Sequence, residues 1–147
     1  MKRLDVLRVP DYRLRLVSTP VEQVTKEIQS FVKDMFLTMM IEGGVGLSSP
    51  QVNVQKRIIV MQLGLEGEFP LVLINPLILS SEGEVESVEG CLSVPKRNVP
   101  VKRAKTIKVC AQNESGTFFE FTTSDLPSIV IQHEIDHLNG TLICDFA

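Results

Sequence analysis

The chain has 147 residues, 44% of them apolar, with a formal net charge of −3 and a mean hydropathy of +0.15. That supplies apolar material for one core but no basic stripe for nucleic acid and no polybasic patch for a membrane surface. No run approaches the roughly 18 apolar residues of a membrane span, and the basic N-terminus lacks the apolar stretch of a secretion signal, so a cytoplasmic protein with a single domain over 1–147 is expected.

In chain order, residues 1–23 mix short apolar groups with Pro10, Arg13, Arg15 and Pro20, which reads as an extended arm whose role is packing. Over residues 25–40 the apolar positions Ile28, Phe31, Val32, Met35, Phe36 and Met39 recur at steps of three and four, the mark of an amphipathic helix facing the core. Gly43-Gly44-Val45-Gly46-Leu47-Ser48-Ser49-Pro50-Gln51 then breaks the helix. This stretch reads as a plain turn or as a loop lining a substrate cleft with Gln51 at its end. A phosphate cradle is disfavoured, because no lysine follows the glycines.

Strands are predicted over residues 57–61 and 71–74, the latter ending at Asn75-Pro76, with 77–79 starting another. Residues 85–88 alternate. Residues 106–111 and 117–121 flank Asn113-Glu114-Ser115-Gly116, a hairpin turn. Three cysteines are too odd a count for a disulfide framework. Cys110 and Cys144 read as packed thiols in strands, whereas Cys91 sits in Glu89-Gly90-Cys91-Leu92-Ser93, which is neither helical nor a regular strand.

The last predicted helix carries the chain's two histidines, in Gln132-His133-Glu134-Ile135-Asp136-His137. Thr123-Ser124-Asp125 offers the N-cap, Pro127 suits the first turn and Gly140 a left-handed stop. His133 and His137 fall on one helix face and can grip one divalent metal, with Glu134 beside it as the base that activates a water. Ile129, Val130, Ile131, Ile135 and Leu138 spread apolar groups around the helix, so it is expected to be buried. The predicted fold is α+β, with mostly antiparallel strands wrapped around a central metal-binding helix. A catalytic site needs a third protein ligand, which must be Cys, Asp or Glu; Cys91, freed by the glycine before it, is the leading candidate.

Taken together, Gly44-Val45-Gly46-Leu47-Ser48-Ser49-Pro50-Gln51, Glu89-Gly90-Cys91-Leu92-Ser93 and the histidine segment resemble the three motifs of the peptide deformylase family, in order and at similar separations. The resemblance implies a hydrolase that removes the formyl group from the N-terminal formyl-methionine of nascent polypeptides and releases formate. It implies one divalent metal per chain held by Cys91, His133 and His137, Fe²⁺ in bacterial members, with Zn²⁺ and Ni²⁺ tolerated by the same donors. It makes Glu134 the acid–base group and Gln51 and the Leu92 amide the oxyanion donors. For the methionine side chain, Leu126, Ile129 and Val130 lie on the face of His133, with Val45 and Gly46 from the glycine loop; ordinary core is the alternative for these residues.

Three departures stand out. Ser48-Ser49 replaces two alanines, which predicts altered hydrogen bonding more than lost fold. Asn98, beside Arg97, replaces a substrate-facing arginine. The sequence stops at Ala147, where many members continue into an extended C-terminal helix, so ribosome association is expected to be weak. The competing functions are an amidase of another specificity and a metal-stabilised deformylase-like binding protein with weak or no turnover.

Overall fold

The computed structural model describes residues 1–63 and 70–147. The first helix, α1 (Lys26–Glu42), starts where the Thr25 side chain accepts the Ile28 N–H and stops at Gly43, whose φ of 73° is left-handed. The glycine stretch becomes a short strand, β1 (Gly46–Ser48), followed by a 3-10 turn at Ser49–Val52. Then come β2 (Ile58–Met61), β3 (Leu71–Glu82), β4 (Val85–Cys91), β5 (Val94–Arg103), β6 (Thr106–Gln112) and β7 (Phe118–Ser124). The histidine helix, α2 (Leu126–Leu138), follows.

One five-stranded antiparallel sheet runs β1-β2-β3-β6-β7, and β4 and β5 form a separate ribbon. β2 is buried on both faces, so its side chains divide by the two-residue period of a strand. Ile58 and Val60 pack with Met35, Met39 and Leu47 beneath α1. Ile59 and Met61 pack with Leu73, Val109, Ile131 and Leu138 beneath α2. A third cluster, with Leu14, Val94, Val99, Val101 and Ile143, lies under the ribbon. Antiparallel strands thus flank α2 on both sides, the α+β arrangement expected. Among the described residues no helix is long and apolar enough to cross a membrane.

The N-terminal arm does more than pack. The Leu4 N–H donates to Thr38 Oγ1 at 2.8 Å, Leu7 N–H to the Gln51 carbonyl at 2.7 Å and Val9 N–H to the Ser93 carbonyl at 2.9 Å. The hairpin turn forms as expected, with Gly116 at φ 80°.

Elsewhere the sequence misleads. β3 does not end at Asn75-Pro76 but passes through it on a bulge against β6. Asn75 takes φ 53°, and its side chain exchanges hydrogen bonds with the Val21 backbone; the bulge accommodates a proline that has no N–H to pair. β5 escaped notice because Pro95, Pro100 and exposed charges interrupt its alternation, yet Val94, Val99, Val101 and Arg103 all point inward. Cys144 lies not in a strand but in a 3-10 turn at Ile143–Phe146, where the Asp145 carboxylate accepts the Leu142 N–H and pairs with Arg15. Asp125 occupies the N-cap position of α2, but at φ 61° its side chain makes no capping bond.

Gly140 holds φ 76°, and a Cβ there would sit 2.5 Å from the Arg15 carbonyl oxygen. Gly140→Ala is expected to destabilise the fold by about 1–3 kcal/mol through strain and overlap, measurable as a lowered urea midpoint at unchanged slope.

Candidate metal centre

α2 turns Ile131 and Leu138 toward the sheet and His133 and His137 away from it, with Glu134 between them, against Gly46 of β1. The ribbon meets that second face. β4 delivers Glu89 and Cys91, two residues apart, on either side of a register shift. His137 Nε2 lies 3.3 Å from Cys91 Sγ and 3.2 Å from His133 Nε2. The three ligand atoms fall within 4.8 Å of one another.

What orients the His133 imidazole is a buried ion network. Glu89 Oε1 lies 2.8 Å from His133 Nδ1, and a carboxylate can only accept, so Nδ1 carries the proton and Nε2 turns its lone pair inward. Arg103 grips Glu89 with two bonds, 2.6 and 2.8 Å, and Asp136 with a third of 2.6 Å. Burial opposes the charge on Glu89, but its hydrogen bonds to Arg103 and His133 prevail and hold its pKa down at about 2. Burial also opposes charge on His133, yet its hydrogen bonds to Cys91 and Glu89 and the charge of Glu134 raise it to about 10. His137, fully enclosed and beside that charge, is driven well below the ordinary histidine range. Glu134 is raised to about 7, chiefly by burial, against the pull of His133 and Arg103.

The donor set fits a divalent cation. The sulfur and the two Nε2 atoms converge at hydrogen-bond distance, and as lone-pair donors they need positive charge, a proton or a cation, shared between them. A proton on His133 meets part of that need; a metal meets it for all three donors, and the two compete for the same lone pair. Among the described residues His137 Nδ1 and Glu134 Oε1 are buried without hydrogen-bond partners. One sulfur with two imidazoles suits Zn²⁺, Fe²⁺ or Ni²⁺ better than Mg²⁺ or Ca²⁺.

A cleft opens in front of the donors. Cys91, Leu92, His133 and Glu134 line it, with Gln51 on the β1 side. Val45, Gly46, Leu126, Ile129 and Val130 all line the same space. His137 does not; it is 2% exposed and lies behind. Ser87 and Val88 join the lining although no sequence pattern marked them as site residues, and Gly90, noted only for freeing Cys91, lines it too. Val45, Val88 and Leu126 leave an apolar rim exposed at the mouth. Gly46 sits so close that a Cβ would be 2.7 Å from Glu134 Oε2. Asn98 reaches Gly90 at the cleft wall, where a Cβ would lie 3.2 Å from its Oδ1. Both serines of the departing motif are buried and bonded, Ser48 to the Gln51 side chain and Ser49 to the Lys56 carbonyl. Sequence reasoning missed Arg103 and Asp136 altogether and saw Glu89 only as a neighbour of Cys91. No local pattern marked Arg103, because the prolines of β5 break the alternation that would place it inward.

A buried H-E-x-x-H helix, a facing cysteine and a free carboxylate at a cleft define a metal-dependent hydrolase. Residues 3–147 match the sequence profile of the polypeptide deformylase family, and the chain belongs to that family. It is 44% identical over 146 residues to a peptide deformylase of Tolumonas auensis, covering 99% of this chain and 87% of the relative. A peptide deformylase of Pseudoalteromonas translucida is 46% identical with the same coverage. The crystal structure of an Ehrlichia chaffeensis peptide deformylase in complex with actinonin superposes with a TM-score of 0.96 at 38% identity, covering 100% of this chain and 90% of that one.

Glu89→Gln removes the charge that pairs with both Arg103 and His133. Metal affinity is expected to fall about 10- to 100-fold, read by chelator competition; unchanged affinity would show that Glu89 does not orient the ligand. Gly46→Ala is expected to displace the Glu134 carboxylate and cut turnover by about 10²-fold at unchanged metal content, measured on one sample.

Proposed function

We propose that the chain holds one divalent metal ion through Cys91, His133 and His137 and hydrolyses the formyl amide of N-terminal formyl-methionine on nascent polypeptides, with Fe²⁺ as the ion in the cell. The observation that carries this reading is Glu134: a carboxylate 4% exposed, with one oxygen unpartnered and a pKa near 7, beside the three donors and in the cleft. A purely structural metal site has no use for such a group.

Bound there, the ion supplies Lewis acidity toward the formyl oxygen and lowers the pKa of water toward neutrality. Glu134 takes a proton from the attacking water as its oxygen bonds to the formyl carbon, and then gives that proton to the leaving nitrogen as the C–N bond breaks. The products are formate and a free amino terminus, so one water is consumed and no other reactant is needed. Gln51 Nε2 and the Leu92 N–H donate to the oxygen that gains charge in the tetrahedral stage. Val45, Gly46, Leu126, Ile129 and Val130 receive the methionine side chain, with apolar burial of an unbranched thioether as the source of preference. Asn98 stands where many members of the family carry a substrate-facing arginine, so at that position it offers the peptide a neutral amide in place of a charge.

Glu134→Gln keeps shape and removes the basic oxygen. The variant should keep about one equivalent of metal and lose ~10²-fold or more in formate release from a formyl-methionyl peptide. Retained metal with near-wild-type turnover would sink the mechanism, and joint loss of metal and turnover would sink the ligand assignment.

A further inference from the structure

We propose that the hydroxyl of Ser48 is a positioning group that fixes the side-chain amide of Gln51 with its NH₂ end turned toward the reacting centre. The proposal rests on Gln51 acting as a donor to the developing oxyanion. Gln51 Oε1 accepts twice from residue 48, from the backbone N–H at 2.9 Å and from the hydroxyl at 2.9 Å. A backbone N–H can only donate, so the oxygen end must face Ser48 and the nitrogen end must face away. Nε2 then donates to Ser93 Oγ at 3.1 Å and lies 3.7 Å from Cys91 Sγ. Ser48 and Ser93 are fully buried and Gln51 is 2% exposed, so no water can substitute for a lost partner without moving the chain.

The backbone on both sides is held independently. Leu7 and Val9 of the N-terminal arm donate to the carbonyls of Gln51 and Ser93. What remains free to vary is the amide itself, its rotation about the last side-chain bond and its polarisation. The Ser48 hydroxyl acts on both. The backbone N–H of residue 48 already disfavours a flipped amide, and the hydroxyl adds a second hydrogen bond on Oε1 that narrows the rotation of the amide in its observed orientation. It also draws charge toward Oε1 and so strengthens Nε2–H as a donor. Both effects matter more at the tetrahedral stage than for the bound substrate, so they should show in kcat rather than KM.

The test is a double-mutant cycle with Ser48→Ala and Gln51→Ala, read as steady-state kinetics on a formyl-methionyl tripeptide, with metal content and Tm of each variant. Alanine removes one oxygen and adds no volume, so the fold should persist. Gln51→Ala should lower kcat by about 10²- to 10³-fold. Ser48→Ala alone should lower kcat by about 3- to 10-fold, the scale of one hydrogen bond, with KM and metal content unchanged. On the Gln51→Ala background it should change kcat by less than about 2-fold. An equal loss on both backgrounds, an effect on KM alone, or a lowered Tm with unaltered kcat would each overturn the positioning role while leaving Gln51 in place. A Gln51→Ala variant with undiminished kcat would overturn the donor role of Gln51 and, with it, that of Ser48.

Discussion

Arg103 is the charge on which the centre depends. Its side chain is 5% exposed, and it holds Glu89 of β4 and Asp136 of α2 at once. A guanidinium buried to that degree is tolerable only with its donors matched to carboxylates in plane. Once matched, it locks the ribbon to the helix at the level of the histidines. Glu89 passes the constraint to His133 through Nδ1, and the same strand continues two residues to Cys91. The separation between sulfur and imidazole is therefore set by a salt bridge and a strand, not by a loop. Phe146 covers the guanidinium from the C-terminal turn, with Cζ 5.5 Å from the ring centroid, which keeps water from competing for its donors.

The cleft is built from edges. β1 is the outer strand of the larger sheet, β4 belongs to the ribbon, and α2 closes the space between them. Edge strands usually need protection from other chains. Here that liability is confined to a mouth with an apolar rim, where an extended peptide can lie. Gly46 and Gly44 let β1 approach closely: a side chain at the first would strike the Glu134 carboxylate, and one at the second would press on Leu92 at 3.0 Å. The glycines are thus requirements of the site more than of the turn, because only Gly43 among them uses a left-handed φ.

Glu134 illustrates how burial tunes a carboxylate. Desolvation raises its pKa, while His133 and Arg103 draw it down, and the balance lies near neutrality. A carboxyl so poised can take up and release a proton in one turnover. The same enclosure leaves one oxygen without a protein partner, which is what the proposed proton transfer requires of it.

Much of this was legible in the residues. The i, i+4 histidines, the breadth of apolar positions on their helix and the glycine before Cys91 are local patterns, and local patterns follow from helix and strand periods that any sequence displays. The methionine-bearing stripe of α1, the Asn113-to-Gly116 hairpin and the left-handed Gly140 were read from the same kind of signal. Tertiary structure decided the rest. β5 became a strand because Val99, Val101 and Arg103 found an inward side, despite two prolines. β3 ran on through Asn75-Pro76 because β6 and Val21 satisfied the bulge. The Arg103–Glu89–Asp136 network joins residues 14 and 33 positions apart, and no periodicity encodes a partner at that separation. By itself the sequence determined which elements could form and which side chains could bind a cation. Only packing decided which charges would meet, since the free energy of a buried charge depends on partners that the fold alone brings into contact.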